Sequence, residues 1–297
     1  MENPHSVFLK INGIRFHCLA TGQGPLCLCL HGFPDTRRSW LHQLGLLARA
    51  YQVVTPDMRG YGETDAPREV DEYRLPLLIE DVRALIGAFG CKEAVLVGHD
   101  WGGIVAIHYA QTYPETVTRL VVSNAPHLRD YADLLFRRVR LRQLAKIWYV
   151  VLNQAPFLSE TLLAMNDFAL MERLVKLYAV RREVFTPEVM GEWKDVLRRS
   201  GLRGGVNYYR AAGRALMRHS RGRRPKAPIP CPVQVIWSET DRSLEPELGE
   251  MLAKHVSGPF ALHVVKNCGH WVQQEAPEEF NSVLADFLGI PPEQSPR

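Results

Sequence analysis

The stretch Ala94-Val95-Leu96-Val97-Gly98-His99-Asp100-Trp101-Gly102-Gly103 decides how the chain is read. Four apolar residues suit a short buried strand, and Gly103–Thr112 has helical period. Between the two the backbone must turn sharply, with Asp100 at the corner. A side chain at such a corner sits in a strained conformation, so glycine at 98 and 102 lets strand and helix approach. The carboxylate also stands at a helix N-terminus, where free N–H groups and the helix dipole favour negative charge. Strand, sharp turn and helix with an acidic nucleophile at the turn is the expected arrangement.

Outward from this corner the same alternation repeats. Compact apolar runs at Leu26–Leu30, Tyr51–Thr55, Ala94–Val97, Leu120–Ser123, Val233–Trp237 and Ala261–Val265 read as strands buried on both faces of a parallel sheet. Helical periods lie between them at Ser39–Ala50, Leu75–Phe89, Gly103–Thr112, Pro246–Val256 and Pro277–Leu288. Two alternating runs around Asn12-Gly13 predict a tight hairpin ahead of the sheet. The fold class is therefore α/β, with a mostly parallel central sheet and right-handed crossovers. After the sixth strand the alternation stops. Leu128–Pro230 shows helical patterns only, with turn signals at Gly201, Gly204-Gly205 and Pro225. This predicts a core formed by 1–127 and 231–297, with a helical cap of 128–230 seated over one edge of the sheet. Phe157, Leu158, Leu162, Met165, Phe168 and Leu170 are the expected lining of an apolar pocket beneath it.

At 297 residues the chain is long enough for a sizeable core, and 46% hydrophobic against 23% charged excludes a disordered or disulfide-scaffold protein. The net charge of +4 is too small to suggest nucleic acid as a partner. It conceals an asymmetry: residues 128–230 hold 21 Lys and Arg against 9 Asp and Glu, the rest 15 against 23. A basic lid thus covers an acidic core, and a monomer or homodimer fits this pattern. No apolar run approaches the roughly 18–20 residues that would span a bilayer. Met1-Glu2-Asn3-Pro4 leads straight into a strand pattern without a signal-peptide design. Cys18, Cys27, Cys29, Cys91, Cys231 and Cys268 have no zinc-type spacing, and the expectation is free thiols in the cytoplasm, with no metal and no cofactor.

Two further strand ends carry chemistry. Ser238-Glu239-Thr240-Asp241 follows one strand, and Asn267-Cys268-Gly269-His270-Trp271 follows the last. Nucleophile, acid and base then come in the order Asp100, Asp241, His270, each at the C-terminal end of a strand, where open α/β sheets hold their sites. Glu239 competes for the acid role; Asp241 is preferred because Glu239 directly follows the strand and is expected to point into packing. His31-Gly32-Phe33-Pro34-Asp35 follows Leu26–Leu30 and presents the N–H of Phe33 beside that of Trp101. Such a pair forms an oxyanion hole, worth on the order of 3 kcal/mol per donor. Phe33-Pro34 is a candidate cis peptide, and Pro56–Gly62 reads as a loop bracing the site.

Together these residues resemble the α/β-hydrolase superfamily, and Gly98-His99-Asp100-Trp101-Gly102-Gly103 resembles its epoxide hydrolase and haloalkane dehalogenase branch. An aspartate nucleophile suits attack on a saturated carbon, which leaves an alkyl ester that water can hydrolyse. The resemblance implies an epoxide hydrolase of the soluble, capped kind, with a small epoxide and water as partners. Val206-Asn207-Tyr208-Tyr209-Arg210 and Trp148-Tyr149-Val150-Val151-Leu152-Asn153-Gln154 are similar to its two cap-tyrosine motifs. The resemblance thus assigns Tyr149 and Tyr209 as acids for the epoxide oxygen, while Tyr208 packs. Asp35 and His99 are candidates for positioning water. Haloacid relatives carry Arg after the nucleophile and haloalkane relatives carry Gln or Asn before it; Trp101 and His99 stand here instead. A dehalogenase and a non-catalytic binding module on the same fold are the competing readings.

Overall fold

The computed structural model describes residues 3–136, 148–218 and 227–291. Eight strands form one sheet: β1 His5–Ile11, β2 Ile14–Thr21, β3 Leu26–Leu30, β4 Gln52–Pro56, β5 Ala94–His99, β6 Val117–Ser123, β7 Val233–Ser238 and β8 Phe260–Val265. Their order is β1-β2-β4-β3-β5-β6-β7-β8. β1 pairs antiparallel with β2 and β2 with β4, while every other pairing is parallel. At the hairpin Asn12 and Gly13 both have positive φ, 49° and 75°, as a two-residue turn that matches strand twist requires.

The apolar runs are explained by what covers each face. Along a strand, side chains alternate between the two faces. Cys27, Cys29, Val53, Val95, Val97, Val121 and Ile236 pack on one face under α1 Leu41–Leu47 and a C-terminal helix Pro277–Leu288. Leu26, Leu28, Leu30, Val54, Leu96, Leu120 and Val122 pack on the other, under α2 Leu75–Ala88 and α3 Trp101–Thr112. Both faces are covered, so the strands read as continuous hydrophobic runs. α3 follows β5 into the middle of the molecule and is buried on every side from Trp101 to Gln111.

Two expected helices are each split. Ser39–Ala50 is a 3-10 turn, Arg37–Trp40, capped by the Thr36 side chain, followed by α1. Pro246–Val256 is a short helix, Glu247–Met251, followed by a 3-10 turn, Leu252–His255.

The described part of the insert between β6 and β7 contains α4 Leu128–Phe136, α5 Trp148–Leu152, α6 Leu158–Tyr178, α7 Pro187–Ser200 and α8 Arg203–Arg218. It stands over the C-terminal ends of the central strands rather than over an edge. The rings of Tyr208 and Tyr209 lie 5.5 and 5.1 Å from that of Trp101, just past β5. Where α8 meets the core, Gly204 and Gly60 approach backbone to backbone, and Gly60 has φ 81°. Helix α6 is interrupted: Asn166, Asp167 and Phe168 adopt left-handed φ of 49°, 54° and 59°. The residues expected to line the pocket lie on both sides of this break. Phe157, Leu158 and Met165 are exposed to solvent, whereas Phe168 is buried with Leu163, Met171, Leu197, Leu202 and Val206. The basic runs at 137–147 and 219–226, with Pro225, lie outside the described residues.

Candidate active site

The turn after β5 holds Asp100 at φ 49°, ψ −121°. A side chain at Gly102 would overlap the Leu30 and His31 carbonyls, so only glycine lets α3 start this close to β3. The Asp100 carboxylate is bonded by both expected amides: Phe33 N–H donates to Oδ1 at 2.8 Å, and Trp101 N–H donates as well. The Phe33-Pro34 peptide is cis. The loop that presents Phe33 is fixed by His31, which is fully buried. Its Nε2 accepts from Met58 N–H at 3.0 Å and its Nδ1 donates to the Gly32 carbonyl at 2.9 Å. Burial lowers His31 to about 4, so the ring stays neutral and keeps this tautomer.

His270 enters from the loop after β8. Its Nδ1 donates to Asp241 Oδ2 at 2.9 Å, and its Nε2 stands 3.8 Å from Asp100 Oδ2. That second distance exceeds a hydrogen bond. Asp241 is well below the usual carboxylate range despite its burial, because His270, Ser243 and Asn124 all stabilise its charge. Its Oδ1 accepts from Ser243 N, Ser243 Oγ and Leu244 N at 2.7, 2.5 and 3.0 Å, and its Oδ2 accepts from Asn124 Nδ2 at 2.6 Å. Burial by itself would lower His270, but the Asp241 charge and hydrogen bond, joined by the Asp100 charge, lift it to about 9. Asp100 is raised by burial, against the pull of His270 and its two amide donors.

Tyr149 and Tyr209 face each other with ring centroids 5.8 Å apart. Tyr209 packs edge-on against Phe33 at 5.6 Å and Trp101 at 5.1 Å, the two residues whose amides bind Asp100. Both phenols are raised well above 10, first by burial and then by neighbours that include Asp100, so both keep their protons. Gln154 ties the two motifs together, its Nε2 donating to the carbonyls of Val150 and Tyr209 at 3.1 and 3.0 Å. Tyr208 is turned away and donates to the Arg59 carbonyl at 3.0 Å.

The structure thus gathers Asp100, Asp241, His270, Phe33, Trp101, Tyr149 and Tyr209 around one point. Glu239 is exposed and accepts from Asn267 N–H at 3.2 Å, so it reaches solvent rather than the packing expected for it. His99 is buried with its Nε2 donating to the His270 carbonyl at 2.9 Å, and burial lowers it to about 3. Asp35 accepts from Thr36 N at 2.8 Å and Gln274 Nε2 at 2.6 Å, and burial raises it to about 7. Three residues of the site carried no sequence signal. Asn124 and Ser243 hold Asp241. Glu275 accepts from Gly269 N at 2.9 Å and Val180 N at 2.8 Å, fastening the His270 loop to the end of α6.

A profile of the alpha/beta hydrolase family matches residues 27–283. The chain belongs to the alpha/beta hydrolase family. This hydrolase is 34% identical over 290 residues to Epoxide hydrolase 4 of Homo sapiens, covering 95% of this chain and 78% of that protein. It is 33% identical to Epoxide hydrolase 3 of Xenopus tropicalis, covering 94% of this chain and 76% of that one. A crystal structure of the Bacillus megaterium epoxide hydrolase in complex with an inhibitor superposes on the hydrolase with a TM-score of 0.85 at 28% identity, covering 95% of this chain and 100% of that one.

Proposed function

We propose that the protein is an epoxide hydrolase that converts epoxides to vicinal diols through an ester on Asp100. One observation carries this reading: Asp100 Oδ1 accepts from Phe33 N–H, Trp101 N–H also donates to the carboxylate, and Oδ2 stands toward His270, beside two protonated tyrosines. Oδ2 attacks the epoxide carbon in line, and the carbon–oxygen bond on its far side breaks. Tyr149 and Tyr209 hydrogen-bond the ring oxygen, and one of them passes its proton to the forming alkoxide. Oδ1 becomes the ester carbonyl, already bonded by Phe33 N–H, and with Trp101 N–H beside it the pair holds the oxyanion of the next step.

Hydrolysis follows through His270. At 3.8 Å from Oδ2, Nε2 leaves the carboxylate free to attack and is set to take a proton from water instead. Esterification removes the Asp100 charge, one of the causes that lift His270 to about 9. The ring then gives up its proton more readily, and the neutral form that can accept one from water becomes available once the ester has formed. Asp241 holds the tautomer with the lone pair on Nε2 and stabilises the imidazolium. When the tetrahedral intermediate collapses, the two water protons end on the diol oxygen and on the tyrosinate.

The tyrosine pair favours an epoxide over a halide, because a halide leaves without needing a proton. The same reading divides the chain into a core of 1–127 and 231–297 and a cap of 128–230. It places the enzyme in the cytoplasm, a reading supported by six free thiols. No helix among the described residues is long and apolar enough to cross a membrane. The test is a set of repeated turnovers of styrene oxide in oxygen-18 water. Label accumulating in the Asp100 peptide supports the ester route; diol formed with an unlabelled Asp100 overturns it.

A further inference from the structure

We propose that His127, Asp130 and His255 form a site for one divalent transition-metal ion, with Zn2+ as its type ion, at the root of the cap. Their ligand atoms all lie within 4.8 Å of one another. His127 immediately precedes α4 and Asp130 lies in its first turn. His255 ends the 3-10 turn Leu252–His255 in the core. Its ring lies parallel to that of His127 with centroids 3.6 Å apart, and its Nε2 is 2.8 Å from Asp130 Oδ2.

The donor chemistry selects the ion. Two imidazoles and one carboxylate suit Zn2+, Co2+ or Ni2+, whereas Mg2+ and Ca2+ seek oxygen ligands. His127 and Asp130 are each only 6% exposed, so a cation there would meet the carboxylate away from most of the solvent. The ion would take the place of the proton between His255 Nε2 and Asp130 Oδ2. Bonds of about 2.0 Å at a tetrahedral angle would widen that contact to about 3.3 Å, and the two stacked rings would turn out of parallel to aim both lone pairs at the ion. His127 Nε2 bonds Gln111 Oε1 at 3.2 Å, the kind of second bond that orients a ligating imidazole. Its Nδ1 then carries the lone pair, which accepts from Arg129 N–H at 3.2 Å and would exchange that bond for the ion.

The place in the fold indicates what the ion would do. α4 carries the chain out of the core into the cap. On the way back Ile229 pairs with Val256, and its N–H donates to the His255 carbonyl at 2.7 Å. Both connections of the cap therefore meet at His255. An ion bound there would tie the outgoing connection to the core beside the returning one and stiffen the cap's attachment. None of the three ligands belongs to the catalytic group.

The full chain, freed of metal with EDTA, is titrated with ZnCl2 by calorimetry at neutral pH, and with CoCl2 followed by visible absorption. The expected result is one Zn2+ per chain, a higher melting temperature with Zn2+ but not Mg2+, and visible Co2+ bands. His255→Ala and Asp130→Asn should each weaken Zn2+ by more than about tenfold, the loss that outer-shell changes alone can cause. His263→Ala, which removes an exposed pairing with Glu279 at 2.8 Å, should leave binding unchanged. Should His255→Ala fail to fold, Asp130→Asn carries the same comparison. Absence of a saturable site overturns the proposal, as does stoichiometric binding that survives either substitution.

Discussion

Replacing Asp241 by Asn should separate the two chemical steps, and the hydrogen bonds around Asp241 say how. Three donors converge on Oδ1: Ser243 N, Ser243 Oγ and Leu244 N, at 2.7, 2.5 and 3.0 Å. In the variant the amide oxygen must take that position, because an NH2 group there would face three donors. The NH2 group then faces Asn124 Nδ2 and His270 Nδ1, now 2.6 and 2.9 Å from Oδ2. His270 can meet an N–H only with the Nδ1 lone pair, so its proton moves to Nε2 and no lone pair remains for water. The variant also loses the charge that does most to lift His270 from the ordinary 6.5 to about 9, a net preference for imidazolium on the order of 3 kcal/mol. A reversed tautomer costs about 10⁴ in a serine-protease triad. Ester hydrolysis should therefore slow by ~10³–10⁴. Alkylation needs the Asp100 anion and the tyrosine protons and should slow by only about tenfold, as the neighbouring cation is lost. Rapid-quench single turnovers with intact-mass detection resolve both steps. Equal slowing of the two, or failure of alkyl-enzyme to accumulate, would refute the reasoning.

Tyr149→Phe and Tyr209→Phe should each slow alkylation by about 10²-fold, and the double variant should be nearly inactive toward epoxides, as expected when both proton donors are lost. Diol formation by the double variant at the wild-type rate would remove the basis for an epoxide substrate. Acid should weaken the fold through His31 and His99, which stay neutral when folded down to about 4 and about 3, whereas the unfolded chain takes up protons below the ordinary 6.5. Their contribution is present above pH 6.5 and is lost as pH falls toward 4. Urea midpoints should fall over that range, and His99→Gln should flatten the slope. Asp81→Ala should cost about 3 kcal/mol in denaturant unfolding, because it removes the two bonds of 2.7 Å to the buried guanidinium of Arg59 and leaves it only the partly exposed Glu72 at 3.3 Å. A loss below about 1 kcal/mol would show that Glu72 and water take over the pairing.

What the sequence revealed depended on whether neighbours along the chain or neighbours in space set the signal. β3, β5 and β6 are flanked on both faces by helices, so the covering left runs of Leu, Val and Cys that read directly as strands. Asp100, Asp241 and His270 were legible because each follows one of those runs, at the end of the sheet where the site forms. Asn124, Ser243 and Glu275 were not, because their partners are set by strand order rather than by local spacing. Asn124 reaches Asp241 across 117 positions of sequence, and Glu275 reaches Val180 across 95. The pocket lining failed for a local reason: a left-handed turn within α6 reset the helical phase, leaving Met165 outside and Phe168 inside. His127, Asp130 and His255 were invisible for the same reason as Asn124, being joined only where the two connections of the cap meet.

The most direct test of the ester mechanism is the intact mass of the His270→Gln variant after exposure to styrene oxide. The account predicts a gain of one substrate mass per chain, located by peptide mapping on Asp100, with little diol released. An unmodified chain, or an adduct on any other residue, would contradict it.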